Sequence, residues 1–168
     1  MAGVKMIING EEINKSKLVE NLIFSSQQQP AGIDLTIKDI YEFDGDGVID
    51  GDNSKRKLPP TKKIEWDKEE KVMLKAGAYK IIFNEVINVP ADAIAIAQSR
   101  SSLLRAGAAT INAVWDPGYS GRSEGLLVVF NPKGITFYKN AKVLQLIFIR
   151  LEKEAKNLYQ GKYQNENK

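Results

Sequence analysis

The sequence predicts a mainly β protein, a sandwich or jelly-roll barrel, with one short helix near its start. Three observations carry that prediction. Along "GIDLTIKDIYEF", apolar Ile33, Leu35 and Ile37 alternate with Asp34, Thr36 and Lys38, the period of a strand with two unlike faces. Seven further runs rich in β-branched, aliphatic and aromatic residues follow: "YKIIF", "EVINV", "AIAIAQ", "ATINAVW", "GLLVVFN", "GITFY" and "KVLQLIFIRL". Turn signals at Ala76-Gly77, Pro90, Asp116-Gly118, Asn131-Gly134 and Asn140 separate them. Many short strands at regular spacing point to antiparallel layers closing on one core.

The elements can be justified in order. "NGEEINKSKLVENLI" places Ile13, Leu18, Leu22 and Ile23 at roughly helical spacing, with Asn9 or Asn14 as caps. "SSQQQPAG" is polar and broken by Pro and Gly, hence a loop. After the first long strand comes "DGDGVIDGDN" (Asp44 to Asn53), which resembles part of a calcium loop. An EF-hand needs a bidentate Glu at the twelfth position and helices on both sides. Counting from Asp44, that position is Lys55 and the flanks read as strands, so an acidic surface loop is the better reading. "SKRKLPPTKK" continues it as a polar loop with a stiff Pro59-Pro60 corner. The strands then run to Arg150. The chain is one domain over residues 1–150, followed by a polar tail, 151–168, whose "KNLYQGKYQNENK" has no core pattern.

Composition narrows the chemistry. With 168 residues, 43% hydrophobic and 27% charged, the chain has the size and balance of one soluble domain. No apolar run approaches the roughly 18 residues of a membrane span, and the start "MAGVKMIING" is too soon interrupted by charge to be a secretory signal. There is no cysteine, which excludes disulfides and thiolate metal sites and fits a cytoplasmic protein. There is no histidine either. That rules out a serine–histidine hydrolase and a histidine-ligated zinc site. Any general base must be a carboxylate, or a Lys or Tyr with a shifted pKa. The net charge of +3 is spread along the chain, too mild to argue for nucleic acid but compatible with a small anionic ligand.

Four stretches carry polar groups that need explaining. "AGIDL" sets Asp34 in a strand, and "KVLQLIF" sets Gln145 between Leu144 and Leu146, where an amide needs a partner; an edge hydrogen bond would suffice. "QSRSSLLRAG" gathers Arg100, Ser101, Ser102 and Arg105. Such a group can hold phosphate through forked donors, hydroxyls and free backbone N–H groups, or the serines can simply cap a helical turn. In "NAVWDPGYSG" an apolar strand runs into Asp116, turns through Pro117-Gly118 and returns with Tyr119. Turns take Asp, Pro and Gly for local reasons, so this acid is either a turn residue or a group the turn presents.

Taken together and in this order, "AGIDL", "SRSSLLRAG", "VWDPGYSG" and "AKVLQLIF" resemble the first four sequence motifs of the dUTPase and dCTP deaminase superfamily, over Gln29 to about Arg150. The early helix with "QQQPAGIDL" and the tail "YQGKYQ" look more like the dCTP deaminase branch and the archaeal-type dUTPases than the common trimeric dUTPases. The resemblance implies a distorted jelly-roll β-barrel and a homotrimer with shared active sites, with neither nucleic acid nor membrane as partner. It implies that Asp116 is the base, that Gln145 helps to hold the attacking water, and that Tyr119 packs on the deoxyribose. Arg100, Ser101 and Ser102 would grip the phosphates, with Arg105 adding charge. Mg²⁺ would bridge the phosphates, with Asp34 holding it through water or supporting the site. Lys162, Tyr163 and Gln164 would form a lid, and backbone groups from Thr110 to Val114 would read uracil.

The branch point is chemical. A deaminase of the superfamily resembles "LELFN", with a proton-shuttling Glu three residues before the Asn. Here "GLLVVFN" ends at Asn131 and puts Val128 at that position, and a valine moves no proton. "YSGRSEG" leaves Glu124 as the nearby acid, expected at the hairpin tip and outside the pocket. The expected activity is therefore hydrolysis of dUTP to dUMP and pyrophosphate. The alternatives are a dCTP deaminase, a bifunctional enzyme making dUMP from dCTP, and a non-catalytic nucleotide-binding relative.

Overall fold

Residues 6–168 are described by a computed structural model; residues 1–5, part of the start that reads as no secretory signal, lie outside the described residues. β1 (Ile7–Ile8) leads into α1 (Gly10–Lys15). Asn9 caps this helix, its side-chain oxygen accepting the Glu12 N–H at 2.9 Å. The helix is much shorter than its apolar spacing predicts. Ser16 closes it, Lys17 and Asn21 turn to φ of 53° and 62°, and Val19–Glu20 is already β2. Leu18 and Leu22 still pack against the core, but from non-helical chain. A six-residue helix is too short to hold itself; buried Ile13 fixes it to the barrel.

A single 3-10 turn (Ser25–Gln27) precedes β3 (Gln28–Gln29). The alternating stretch forms one continuous strand, β4 (Gly32–Phe43). The strands β5 (Thr61–Ile64), β6 (Lys71–Leu74), β7 (Gly77–Phe83), β8 (Val86–Asn88) and β9 (Ala93–Ser99) follow. After α2 (Ser101–Arg105) come β10 (Ala108–Ile111), β11 (Ser120–Gly121), β12 (Glu124–Val129), β13 (Ile135–Tyr138) and β14 (Lys142–Arg150). Every predicted run contains a strand. "ATINAVW" stops early: the strand ends at Ile111, and Trp115 rejoins the sheet through a bridge to Ala95.

All pairings between these strands are antiparallel. The large sheet runs β1-β14-β4-β7-β12-β10, with β9 along β14 and β3 and β5 along β4. Two small sheets, β11-β8-β2 and β13-β6, complete the jelly-roll-like barrel. Its core takes Leu35, Ile37, Phe83, Leu127, Leu144 and Phe148, all fully buried. β4 departs from its sequence pattern in one respect. Its alternation predicts a wet face for Asp34 and Thr36, yet both are buried. Gln27 and Glu85, also buried, form a polar layer beneath them. Among the described residues no helix is long and apolar enough to cross a membrane.

Candidate active site

The turn after Trp115 is built by local chemistry. Trp115 is buried and exchanges two 3.0 Å backbone hydrogen bonds with Ala95. The chain then reverses over Asp116–Tyr119, with the Tyr119 N–H donating to the Asp116 carbonyl at 3.1 Å. Pro117 takes the second position, and Gly118, with φ of 83°, the third. That arrangement suits a type II turn, whose third position needs positive φ. Val89 grips the turn from outside: its carbonyl accepts from the Gly118 N–H at 2.9 Å and its own N–H donates to Tyr119 at 2.8 Å. The turn is thus held by its backbone, which leaves the exposed Asp116 side chain free of that task.

The polar tail is folded back onto this same turn. The Tyr159 N–H donates to the Pro117 carbonyl at 2.8 Å. The Gln164 side-chain amide accepts from the Ser120 N–H and donates to the Gly118 carbonyl, both at 2.9 Å. The Tyr119 hydroxyl donates to the Glu166 carboxylate at 2.8 Å, and its ring meets Tyr159 edge-on at 5.6 Å. Burial, with the Glu166 carboxylate beside it, pushes the Tyr119 phenol far above its usual range. Burial likewise raises the Glu166 carboxyl, against the opposing hydrogen bond from Tyr119.

Turn and tail close two walls of a cavity of about 570 Å³, a volume suited to a small organic ligand. Asp116, Tyr119, Tyr159, Tyr163 and Glu166 line it, as do residues 111–115 at and after the end of β10 and Glu124–Leu126 on β12. Two sequence expectations need correction. Glu124 is not outside the pocket: it opens β12, lines the cavity and pairs with Lys80 at 3.2 Å. The segment around Pro59 is not merely a surface loop, because Phe43, Leu58, Pro59 and Thr61 form a further wall. Of the predicted lid residues, Tyr163 lines the cavity, Gln164 clamps the turn, and Lys162 is exposed.

The other predicted residues gather elsewhere. Gln145 stands opposite Asp34 on one side and Gln98 on the other, one row across β4, β14 and β9. The Asp34 carboxylate pairs with Arg100 Nε at 3.1 Å and Lys142 Nζ at 3.8 Å, and accepts from Gln29 at 3.3 Å. Burial raises its pKa, opposed by those two cations. Ser101 and Ser102 are exposed at the start of α2, and Arg105 is exposed in its last turn. Thr110 is buried and pinned to Ser99, whose Oγ accepts its N–H at 2.8 Å. None of Asp34, Arg100, Ser101, Ser102, Arg105, Thr110 or Gln145 lines the Asp116 cavity. Among the described residues no group of three or more metal-ligating side chains occurs. Asp34, committed to two cations, is poorly suited to hold Mg²⁺.

Two further features escaped the sequence reading. Glu85 lies beneath β4, accepting from Thr36 N at 3.0 Å and from Thr36 Oγ and Gln27 Nε2 at 2.6 Å each. Asn112, a polar residue just past the end of β10, sits in the cavity wall.

A family model described as dCTP deaminase-like matches residues 7–151. The chain belongs to that family. Within it, a probable deoxyuridine 5'-triphosphate nucleotidohydrolase of Methanosarcina mazei is 49% identical over 151 residues, 89% of this chain and 88% of that one. A probable nucleotidohydrolase of the same name from Archaeoglobus fulgidus is 42% identical over 96% of this chain and 97% of its own length. The deoxyuridine 5'-triphosphate nucleotidohydrolase of Methanocaldococcus jannaschii is 42% identical over 89% and 95%. The 2'-deoxycytidine 5'-triphosphate deaminase of Agrobacterium tumefaciens shares the fold, with a TM-score of 0.67 at 17% identity. The match covers 86% of this chain and 48% of that one, so this chain spans about half its length. In this dCTP deaminase-like chain the acids lining the cavity are Asp116, Glu124 and Glu166. Val128 shares the β12 face of Glu124 and Leu126 but is not among the lining residues.

Proposed function

We propose that the chain is a dUTP pyrophosphatase, hydrolysing dUTP to dUMP and pyrophosphate. The observation that carries the reading is an exposed carboxylate, Asp116, at a cavity mouth, on a turn that its own backbone holds, in a chain with no histidine. The names of the 42–49% identical relatives support the same substrate. A water in line with the α-phosphorus gives its proton to Asp116 as its oxygen bonds to phosphorus. The bond from that phosphorus to the bridging oxygen breaks, and pyrophosphate leaves with the electron pair. The Tyr119 ring packs on the deoxyribose and excludes a 2′-hydroxyl. Gln145 orients the water and the α-phosphate, while Arg100, Ser101 and Ser102, with Arg105, hold the phosphates.

Asp34 acts by holding Arg100 in place. The described residues form no ligand cluster for a metal, so Mg²⁺ would be held by the triphosphate itself and would supply charge to its phosphates. The phosphate-holding group lies outside the Asp116 cavity of its own chain. A homotrimer in which one chain's Arg100 group serves another chain's Asp116 joins the two halves. The tail is the lid, and a cytoplasmic location fits a nucleotide substrate.

The deciding experiment measures pyrophosphate and ammonia release separately, with dUTP and with dCTP, in Mg²⁺ and in EDTA. Pyrophosphate from dUTP in Mg²⁺ is the expected result; no turnover of either nucleotide overturns it in favour of a non-catalytic relative. Two observations favour deamination: the family model is dCTP deaminase-like, and Glu124 stands in the cavity wall, where a carboxylate can carry a proton. Ammonia from dCTP that disappears in Glu124→Gln would establish that second reading.

A further inference from the structure

The arm between β4 and β5 lies outside the four sequence motifs, yet Leu58 and Pro59 at its end form part of the cavity wall. The arm folds on itself. The Asp44 N–H donates to the Pro60 carbonyl at 2.9 Å, and Val48 and Lys57 exchange backbone hydrogen bonds of 2.8 and 2.9 Å. Its acids are engaged within it: Asp46 pairs with Lys57 at 3.2 Å, Asp50 accepts from the Lys55 N–H at 2.7 Å, and Asp52 accepts from the Ser54 N–H at 3.0 Å. Arg56, next to Lys57, turns the other way. Its guanidinium stands over the Tyr163 ring, 6.0 Å from the centroid, and Tyr163 lines the cavity from the tail. Arg56 therefore sits where arm and tail meet. Among the described residues its one side-chain partner is Asn53 Oδ1, 3.2 Å from Nη1, and no carboxylate pairs with it.

The cavity sets an electrostatic problem for a triphosphate. Three carboxyl groups line it, on Asp116, Glu124 and Glu166, against one cation, Lys80. That cation is already committed: Lys80 Nζ lies 3.2 Å from the Glu124 carboxylate and 4.6 Å from the centroid of the Tyr41 ring. Each phosphate adds negative charge to a lining that is already acidic, and repulsion grows as water is excluded. A cation without an acid partner at the cavity's edge offsets that repulsion. A guanidinium suits the place better than an ammonium would. Its flat face stacks on an aromatic ring while its edge presents forked N–H donors to phosphate oxygens.

We propose that Arg56 is a phosphate-binding residue, stacked on Tyr163 and donating from the free edge of its guanidinium to the β- and γ-phosphates of a nucleotide seated in the cavity of its own chain. This deepens the dUTP reading and rests on it: base and sugar lie inside, and the outer phosphates leave between arm and tail. Arg100, Ser101 and Ser102 then meet the phosphates from the other side. The arm, which the sequence presents as an acidic surface loop, becomes the carrier of one exposed cation that its own acids do not neutralise.

The test compares two probes that differ in the outer phosphates, dUMP and α,β-imido-dUTP, in which N–H replaces the oxygen bridging the α- and β-phosphorus atoms. Both are titrated by calorimetry into the full chain in Mg²⁺, with melting temperatures taken on the free protein. In Arg56→Ala the imidotriphosphate should weaken by about ten- to a hundredfold, the size of a lost charge-assisted hydrogen bond. dUMP should bind as it binds wild type, and the melting temperature should not move. Arg56→Lys keeps the charge but loses the fork and the flat face, so it should recover only part of the affinity. The proposal is overturned if the imidotriphosphate binds Arg56→Ala as it binds wild type. It is overturned equally if dUMP weakens by the same factor, because Arg56 then only ties the arm to the tail, or if the melting temperature falls clearly and both probes weaken together. Pyrophosphate release from dUTP by wild type is a separate readout. Its absence, with the imidotriphosphate still dependent on Arg56, removes the hydrolase reading and leaves the phosphate contact standing. Its presence, with no dependence on Arg56, removes the contact and leaves the hydrolase reading.

Discussion

Asp116 is fixed by groups that a side-chain change does not touch. The hydrogen bond closing its turn uses its carbonyl, and the positive φ falls on Gly118. Asp116→Asn should therefore fold and melt like wild type. General-base catalysis contributes about 10²–10⁴ in rate, so kcat for dUTP should drop by about that factor. Affinity should stay within roughly tenfold, since one hydrogen bond to the sugar is worth about 1 kcal/mol. Turnover, nucleotide binding and melting measured together decide the matter. Near wild-type turnover would move the base to Glu124, which also lines the cavity. Tyr119 separates into a ring and a hydroxyl. Tyr119→Phe keeps the ring and loses only the bond to Glu166, so it should still reject UTP. Tyr119→Ala should bring kcat/KM for dUTP and UTP together, chiefly by weakening dUTP. Equal discrimination in both variants would reduce Tyr119 to a turn aromatic. The turn that carries these two residues was legible in the sequence because Asp-Pro-Gly followed by Tyr forms a local unit. Glu85 was not: its partners Gln27 and Thr36 lie 58 and 49 positions away, and only the fold brings them together.

Strands and tail obey the same division between local and distant causes. The eight strand runs were legible because period-two patterning and turn residues are local signals. The helix was overextended because Leu18 and Leu22 do face the core, while the left-handed Lys17 and Asn21 that break it leave no periodic trace. The tail's docking was invisible for another reason. It joins residues far apart in the chain: Gln164 is bonded at both ends to the turn, beside the Tyr159–Pro117 backbone bond and the Tyr119–Glu166 bond. Gln164→Ala should cost about 1–2 kcal/mol of tail docking. Backbone amides of Ser120 and Tyr159 should then exchange about tenfold faster, and KM for dUTP should rise if the tail is the lid. Unchanged exchange would mean that the backbone bonds from Tyr159 and Asn165, with Tyr119–Glu166, hold the tail without Gln164. β4 is tied to its surroundings by Glu85. Burial pushes that carboxyl above its ordinary 4.5, although it accepts hydrogen bonds from Thr36 and Gln27. The folded protein thus holds the proton more tightly than the unfolded chain does. The resulting stability is fully present below the unfolded value and is lost as pH rises through the folded one. The melting temperature of Glu85→Gln relative to wild type should accordingly rise with pH across that window. A constant difference from pH 4 to 8 would show that Glu85 titrates alike in both states.

At the scale of the whole molecule, the residues of the proposed site fall into two separate groups within one chain. Asp116 and Tyr119 line one cavity, while Arg100, held by Asp34, stands with Gln145 in a different part of the sheet. Four motifs were readable along the chain, but a sequence carries no signal for which copy completes which site, so the sharing of residues could be expected only from the resemblance. A cyclic trimer repeats one heterologous contact around its axis, and such a contact can bring the Arg100 group of one chain to the Asp116 turn of the next. Mixing two inactive variants tests this directly. Asp116→Asn removes the base, and Arg100→Ala removes a phosphate ligand. Each alone should be nearly inactive. If the sites are shared, a mixed trimer contains some sites that take Asp116 from an Arg100→Ala chain and Arg100 from an Asp116→Asn chain. With equal amounts and random assembly, each donor is the right variant about half the time, so about a quarter of the sites should be intact. Refolding the two variants together should recover roughly that fraction of wild-type dUTP hydrolysis, while refolding them apart and then mixing should recover none until subunits exchange. Light scattering should report about three chain masses for each sample. If co-refolded trimers stay as inactive as their parents, both residues serve a site within one chain, and the tail and loop walls must open far enough to bring Arg100 to Asp116.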